Sequence, residues 1–212
     1  MDFDGVTRPS DGPYDIGPYQ YISTPTPIPL IGDSGFEQVV VGAGQFKYDP
    51  TGSPWAFSGS SGISGNNSGF TSGSPPAPQG SQVAFVQATG SFTRTVADWA
   101  AGSYVLTFDA AQRRNFHVSQ ENFKVLIDGK IVGTFTPSGT SYQSYSTAVF
   151  TVTTAGPLTI TFQGLDSAGG DNTAFLDQVA VAPASTFSIG DPGFEQVVVG
   201  AGQFKYDPTG SP

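Results

Sequence analysis

The chemistry-bearing residues of this chain crowd into one stretch, "QRRNFHVSQEN", from Gln112 to Asn122. Arg113, Arg114, Asn115, Gln120 and Asn122 bring guanidinium and amide groups, whose donors have fixed directions, into a chain otherwise poor in such residues. Planar donors of this kind bridge adjacent hydroxyls, as on a sugar ring. The bland alternative is a solvated loop whose arginines pair with the surplus acids. Strand alternation adds to the set: with Leu106, Phe108, Phe123, Val125, Ile127, Ile160 and Phe162 facing a core, Thr107, Asp109, Arg113, Asn122, Lys124 and Gln163 face outward. The expectation is one sheet face carrying a stripe of charges and amides. A second polar loop, "GLDSAGGDN", holds Asp166, Asp171 and Asn172, which suit a ligand or a cation but are also ordinary turn formers. Trp55, Tyr142 and Tyr145 are candidate stacking surfaces for a pyranose; Trp55 has core packing as its alternative, and Trp99 reads as core.

Catalysis finds no such set. His117 is the single histidine, cysteine is absent, and no serine sits in the setting of an activated nucleophile, so no catalytic residue is assigned and the module is read as non-enzymatic. The absence of cysteine also excludes thiolate metal sites and disulfides. A net charge of −9 repels nucleic acid and anionic membrane, leaving neutral glycans, cations or proteins as partners. No apolar run reaches the length of a membrane span.

The elements that must position these residues are strands. The composition of 28 Gly, 17 Pro and 17 Phe with 12% charged residues disfavours helices and favours short strands joined by tight turns. The chain also repeats itself: "IGDSGFEQVVVGAGQFKYDPTGSP" at 31–54 returns at 189–212 with only Ser34 replaced, by Pro192. That period matches a whole domain, so the expected organisation is a tandem array. Residues 31–182 read as one complete module, 183–188 as a linker and 189–212 as the start of an identical second module, whose strand is able to exchange between molecules. Pro25, Pro27 and Pro29 mark 22–30 as a polyproline-II spacer. Within the module, "GFEQVVV", "PWAFSG", "SQVAFVQA", "SFTRTV", "GSYVLTFDAAQR", "NFKVLIDGKIVGTFT", "SYSTAVFTV", "GPLTITFQGL" and "TAFLDQVAV" read as strands. Asp128-Gly129 supplies a two-residue hairpin turn, and the Gly- and Ser-rich stretch 58–81 reads as a long loop.

Two resemblances follow. Residues 1–21, through Asp2, Asp4, Gly5, Arg8, Pro9, Asp15, Ile16, Gly17 and Tyr21, resemble the closing segment of bacterial right-handed parallel β-helix proteins. From "GFE" through "GSYVLTFDA" and "LTITFQG" to "FLDQVAV", the module resembles the galactose-binding-like jelly roll of carbohydrate-binding modules. That resemblance implies an all-β jelly-roll sandwich, polysaccharide binding without catalysis, neighbouring modules in the same chain, and a secreted or cell-surface bacterial setting. It also implies a structural Ca²⁺ held by Glu37 and Asp177, with a carboxylate bonded to backbone as the alternative; Gln178 stands where a second acid is common. The rival function is a calcium-stabilised spacer or adhesin repeat with no glycan site.

Overall fold

The computed structural model describes residues 27–115, 121–168 and 170–184. The β-helix resemblance at 1–21, most of the spacer at 22–30, most of the linker at 183–188, the repeat at 189–212, and His117 and Gln120 lie outside them. All regular structure among the described residues is strand: β1 (Phe46–Tyr48), β2 (Ala56–Ser58), β3 (Ser61–Gly65), β4 (Gln82–Gln87), β5 (Ser91–Trp99), β6 (Gly102–Gln112), β7 (Phe123–Ile127), β8 (Lys130–Phe135), β9 (Gln143–Ser146), β10 (Phe150–Val152), β11 (Gly156–Gly164) and β12 (Thr173–Pro183). They form two antiparallel sheets. The larger runs β1-β3-β4-β12-β6-β10 with β9 also on β6; the smaller runs β2-β5-β11-β7-β8.

Alternation fills the space between the sheets as the sequence implies. Leu106, Phe108 and Leu176 from the larger sheet meet Phe92, Phe123, Val125, Ile160 and Phe162 from the smaller, all buried. Phe92 and Phe162 stack at 4.9 Å between ring centroids. Trp99 ends β5 in the same core. Asp128 and Gly129 take φ of 46° and 77°, the two left-handed residues that a tight β7–β8 hairpin requires.

Three strand expectations are corrected. "GFEQVVV" is irregular, with a turn and bends, not a strand. Asp33 and Phe36 adopt φ of 55° and 60°, which turns the Phe36 ring into the core. The buried Gln82 side chain takes the place of a strand partner: its amide donates to the carbonyls of Phe36 and Val39, and its Oε1 accepts from Val41 N at 3.1 Å. Conversely, part of the Gly-rich stretch is strand. β3 is buried at all five positions between β1 and β4. A Cβ on Gly62 would lie 2.1 Å from the Lys47 carbonyl oxygen, and one on Gly65 would lie 2.2 Å from that of Gly42, so glycine here permits close backbone approach. "SYSTAVFTV" divides into β9 and β10, both on the same edge of β6.

Candidate functional site

The expected polar stripe is split between opposite faces of the sandwich. Asp109 and Arg113 belong to the larger sheet and its end, whereas Lys124 and Gln163 are paired neighbours in the smaller one. Asn122 is half-buried, and its carbonyl accepts from Leu165 N. The aromatic candidates are also drawn inward. Trp55 is in the core, its indole N–H donating to the Asp33 carbonyl at 3.0 Å. Tyr145 is half-buried and stacks on Phe108. Tyr142 folds over the outer face of the larger sheet, beside Val83, Phe85 and Phe175.

That outer face is roofed by the chain itself. Phe70 and Ala77, from the loop 66–81, pack on Val83, Phe85 and Phe175. The arginine cluster is the latch of this roof. Arg113 donates to the Gly69 carbonyl at 3.1 Å and to Asn115 Oδ1 at 2.8 Å, Asn115 also donates to Gly69, and Arg114 donates to the Gly73 carbonyl at 2.9 Å. The donors that suit sugar hydroxyls are thus engaged with loop carbonyls.

At the edge of the roof, β1 presents two rings that sequence reading did not select. Phe46 and Tyr48 are 43% and 40% exposed, and they are the only aromatic rings in the exposed class among the described residues. Phe46 stacks on Phe70 at 4.4 Å, and Tyr48 stands edge-on to Phe85 at 5.1 Å. The two exposed rings are themselves 6.1 Å apart and nearly perpendicular. The Tyr48 hydroxyl donates to Gln87 Oε1; Gln87 donates to Thr173 Oγ1 at 2.7 Å, which donates to the Asp171 carbonyl at 2.9 Å. Burial raises the Tyr48 pKa, with the Asp171 charge adding to it and Arg113 opposing; burial lowers that of Arg113, against the Asp171 charge. An apolar ring pair thus adjoins an exposed carboxylate and a fixed hydroxyl. The signal was available in "QFKYDP", where Phe46 and Tyr48 alternate with polar residues, but edge-strand exposure is not written locally.

Glu37 and Asp177 both accept hydrogen bonds from backbone N–H groups at the end of the loop 66–81. Glu37 Oε1 accepts from Ser81 N and Gln82 N at 2.8 and 2.9 Å, and its Oε2 from Ser81 Oγ at 3.2 Å. Asp177 Oδ2 accepts from Gln79 N at 2.7 Å and Oδ1 from Gln178 N at 2.8 Å. All four carboxylate oxygens are in use, which matches the backbone-bonded alternative. Burial pushes the Asp177 carboxyl up to about 7, and the Glu37 and Asp109 charges add to it. Among the described residues no three His, Cys, Asp or Glu side chains form a metal-holding group.

No family model and no curated protein matches the chain. Among solved structures it is similar to the Stig cyclase Fisc from Fischerella sp. TAU, at 16% identity and a TM-score of 0.55, over 76% of this chain and 100% of that one. It is also similar to the module TmCBM61 in complex with β-1,4-galactotriose, at 17% identity and a TM-score of 0.45, over 74% of this chain and 99% of that one. A third is the carbohydrate-binding module CBM36 in complex with calcium and xylotriose, at 18% identity and a TM-score of 0.40, over 52% of this chain and 87% of that one. The likeness to the cyclase and the two antiparallel sheets together show the fold: this chain is an all-β jelly-roll sandwich.

Proposed function

We propose that the module binds neutral polysaccharide, without transforming it, at the rim formed by Phe46, Tyr48 and Asp171. The observation that carries the reading is the pair of exposed rings on β1, held at a fixed angle by the buried Phe70 and Phe85. Ring faces suit the apolar faces of pyranoses, and the Asp171 carboxylate and Tyr48 hydroxyl suit adjacent sugar hydroxyls. Arg113, Arg114 and Asn115 act as positioning residues, because they hold the loop on which Phe46 rests. The setting that accompanies this reading is a secreted or surface-attached bacterial protein in which weak modules gain avidity by tethering. Calcium belongs to the same reading as a stabilising ion.

Titration calorimetry against soluble β-1,4-galactan and xylan tests the reading. Saturable heat is expected with one of the two, weakened at least tenfold, about 1.4 kcal/mol, by Tyr48→Ala. The competing reading, a structural spacer, draws support from the roofed outer sheet face, which leaves no open groove over Phe85 and Phe175. No heat from either polymer, with the fold intact by circular dichroism, would favour it.

A further inference from the structure

β8 ends the order of the smaller sheet and β10 that of the larger, and the two edges meet where Ala148 N donates to the Val132 carbonyl at 3.0 Å. Val132 also lines a cleft of about 400 Å³, together with Phe150 and Val152 from β10 and Leu158 from β11. That volume falls within the range of small-molecule sites, roughly 300–1,000 Å³. The floor of the cleft is the main core itself. Ile127, Val132, Phe150 and Val152 keep 5–7% exposure, whereas Leu106, Phe123 and Ile160, deeper in the same cluster, keep none. The core therefore meets solvent here.

The polar side of the cleft is uneven. Asp128 contributes to it, but its Oδ1 is engaged, accepting from Thr159 N at 2.7 Å. The exposed Lys130 ammonium is in no ion pair among the described residues, and Thr153 and Thr154 add hydroxyls. A chain of net charge −9 repels anions over most of its surface, so an unpaired cation beside an apolar floor selects a ligand with both an apolar body and a negative group. We propose that this cleft takes a small amphipathic carboxylate, its ring on Val132, Phe150 and Val152 and its carboxylate on Lys130. The site is separate from the rim of Phe46 and Tyr48 and differs from it in chemistry. Behind the floor, the Trp99 ring lies 5.7 Å from that of Phe150, and its buried indole N–H has no acceptor. Trp99 therefore reports on any displacement of Phe150.

The test is calorimetric titration of the full chain with sodium cinnamate and, separately, with its neutral amide, with no glycan present. Cinnamate is expected to bind saturably and at least about fivefold more tightly than cinnamamide. Lys130→Gln should abolish that difference, and Thr153→Trp should weaken cinnamate at least about tenfold by covering the mouth of the cleft. Both replaced residues are exposed, so neither substitution touches the core. In a ¹⁵N-correlated spectrum, shifts are expected at the amides of Lys130, Val132 and Val152 and at the Trp99 indole, with Phe46 and Tyr48 silent. No saturable heat with cinnamate, equal affinity for acid and amide, an affinity that ignores both substitutions, or shifts gathered at Phe46 and Tyr48 overturns the proposal. Because no glycan is present, that failure leaves the glycan rim to be judged separately.

Discussion

The guanidinium carbon of Arg113 lies 4.4 Å from the ring centroid of Phe70, joining the end of β6 to a loop more than 40 residues earlier in the chain. The contact fixes the ring on which Phe46 stacks. One arginine at the end of the sheet therefore governs both the closure of the loop 66–81 and the attitude of the exposed aromatic edge.

Replacing that arginine by lysine keeps the charge but removes the Nε–H bond to Asn115 and the planar stack. Arg113→Lys is expected to cost about 1–2 kcal/mol in urea unfolding. Chymotryptic cleavage after Phe70 should also quicken as the loop lifts more often. Unchanged stability and cleavage would show that the loop is held by its apolar contacts alone.

Gly62 of β3 pairs with Tyr48 of β1. Gly62→Ala would drive a methyl group against the Lys47 carbonyl, so β1 must shift, at a cost of about 2–3 kcal/mol. The same substitution should remove glycan binding, because Phe46 and Tyr48 ride on that strand. A stable variant with intact affinity would mean that β1 is not needed for the site.

Glu121 gives stability a pH dependence of definite sign. Its carboxyl is raised by burial above the value it has in the unfolded chain, so the folded state binds more protons. The stability it allows is fully present below about pH 4.5 and is lost as pH rises toward about 8. In EDTA, the wild-type melting temperature should fall across that window, and Glu121→Gln should flatten the fall. Equal slopes in the two proteins would place the titration elsewhere; Asp177, raised to about 7, is the other group of the same sign.

How much of this was legible depended on the range over which each feature is encoded. The β7–β8 hairpin was readable because its turn needs two left-handed residues and Asp128-Gly129 supplies them. The inward sets of β6, β7 and β11 followed from alternation, since each strand has one face on a shared core. β3 was missed because its glycines answer to backbone oxygens of Lys47 and Gly42, which the local sequence does not display. The failure at "GFEQVVV" has the same origin: an apolar run that looks extended is bent by the distant Gln82. The arginine cluster stands out in the sequence by composition, but its partners, carbonyls at Gly69 and Gly73, do not. Conversely, Phe46 and Tyr48 look like ordinary strand residues until the sheet order places them on an edge.

The central claim concerns where a glycan sits, and a ¹⁵N-correlated NMR titration with xylo- and galacto-oligosaccharides measures that directly. The account predicts saturable shifts gathered at the amides of Phe46, Lys47, Tyr48 and Asp171, with the opposite face at Lys124 and Gln163 silent. Shifts centred on Lys124 and Gln163, or none with either sugar series, would contradict it.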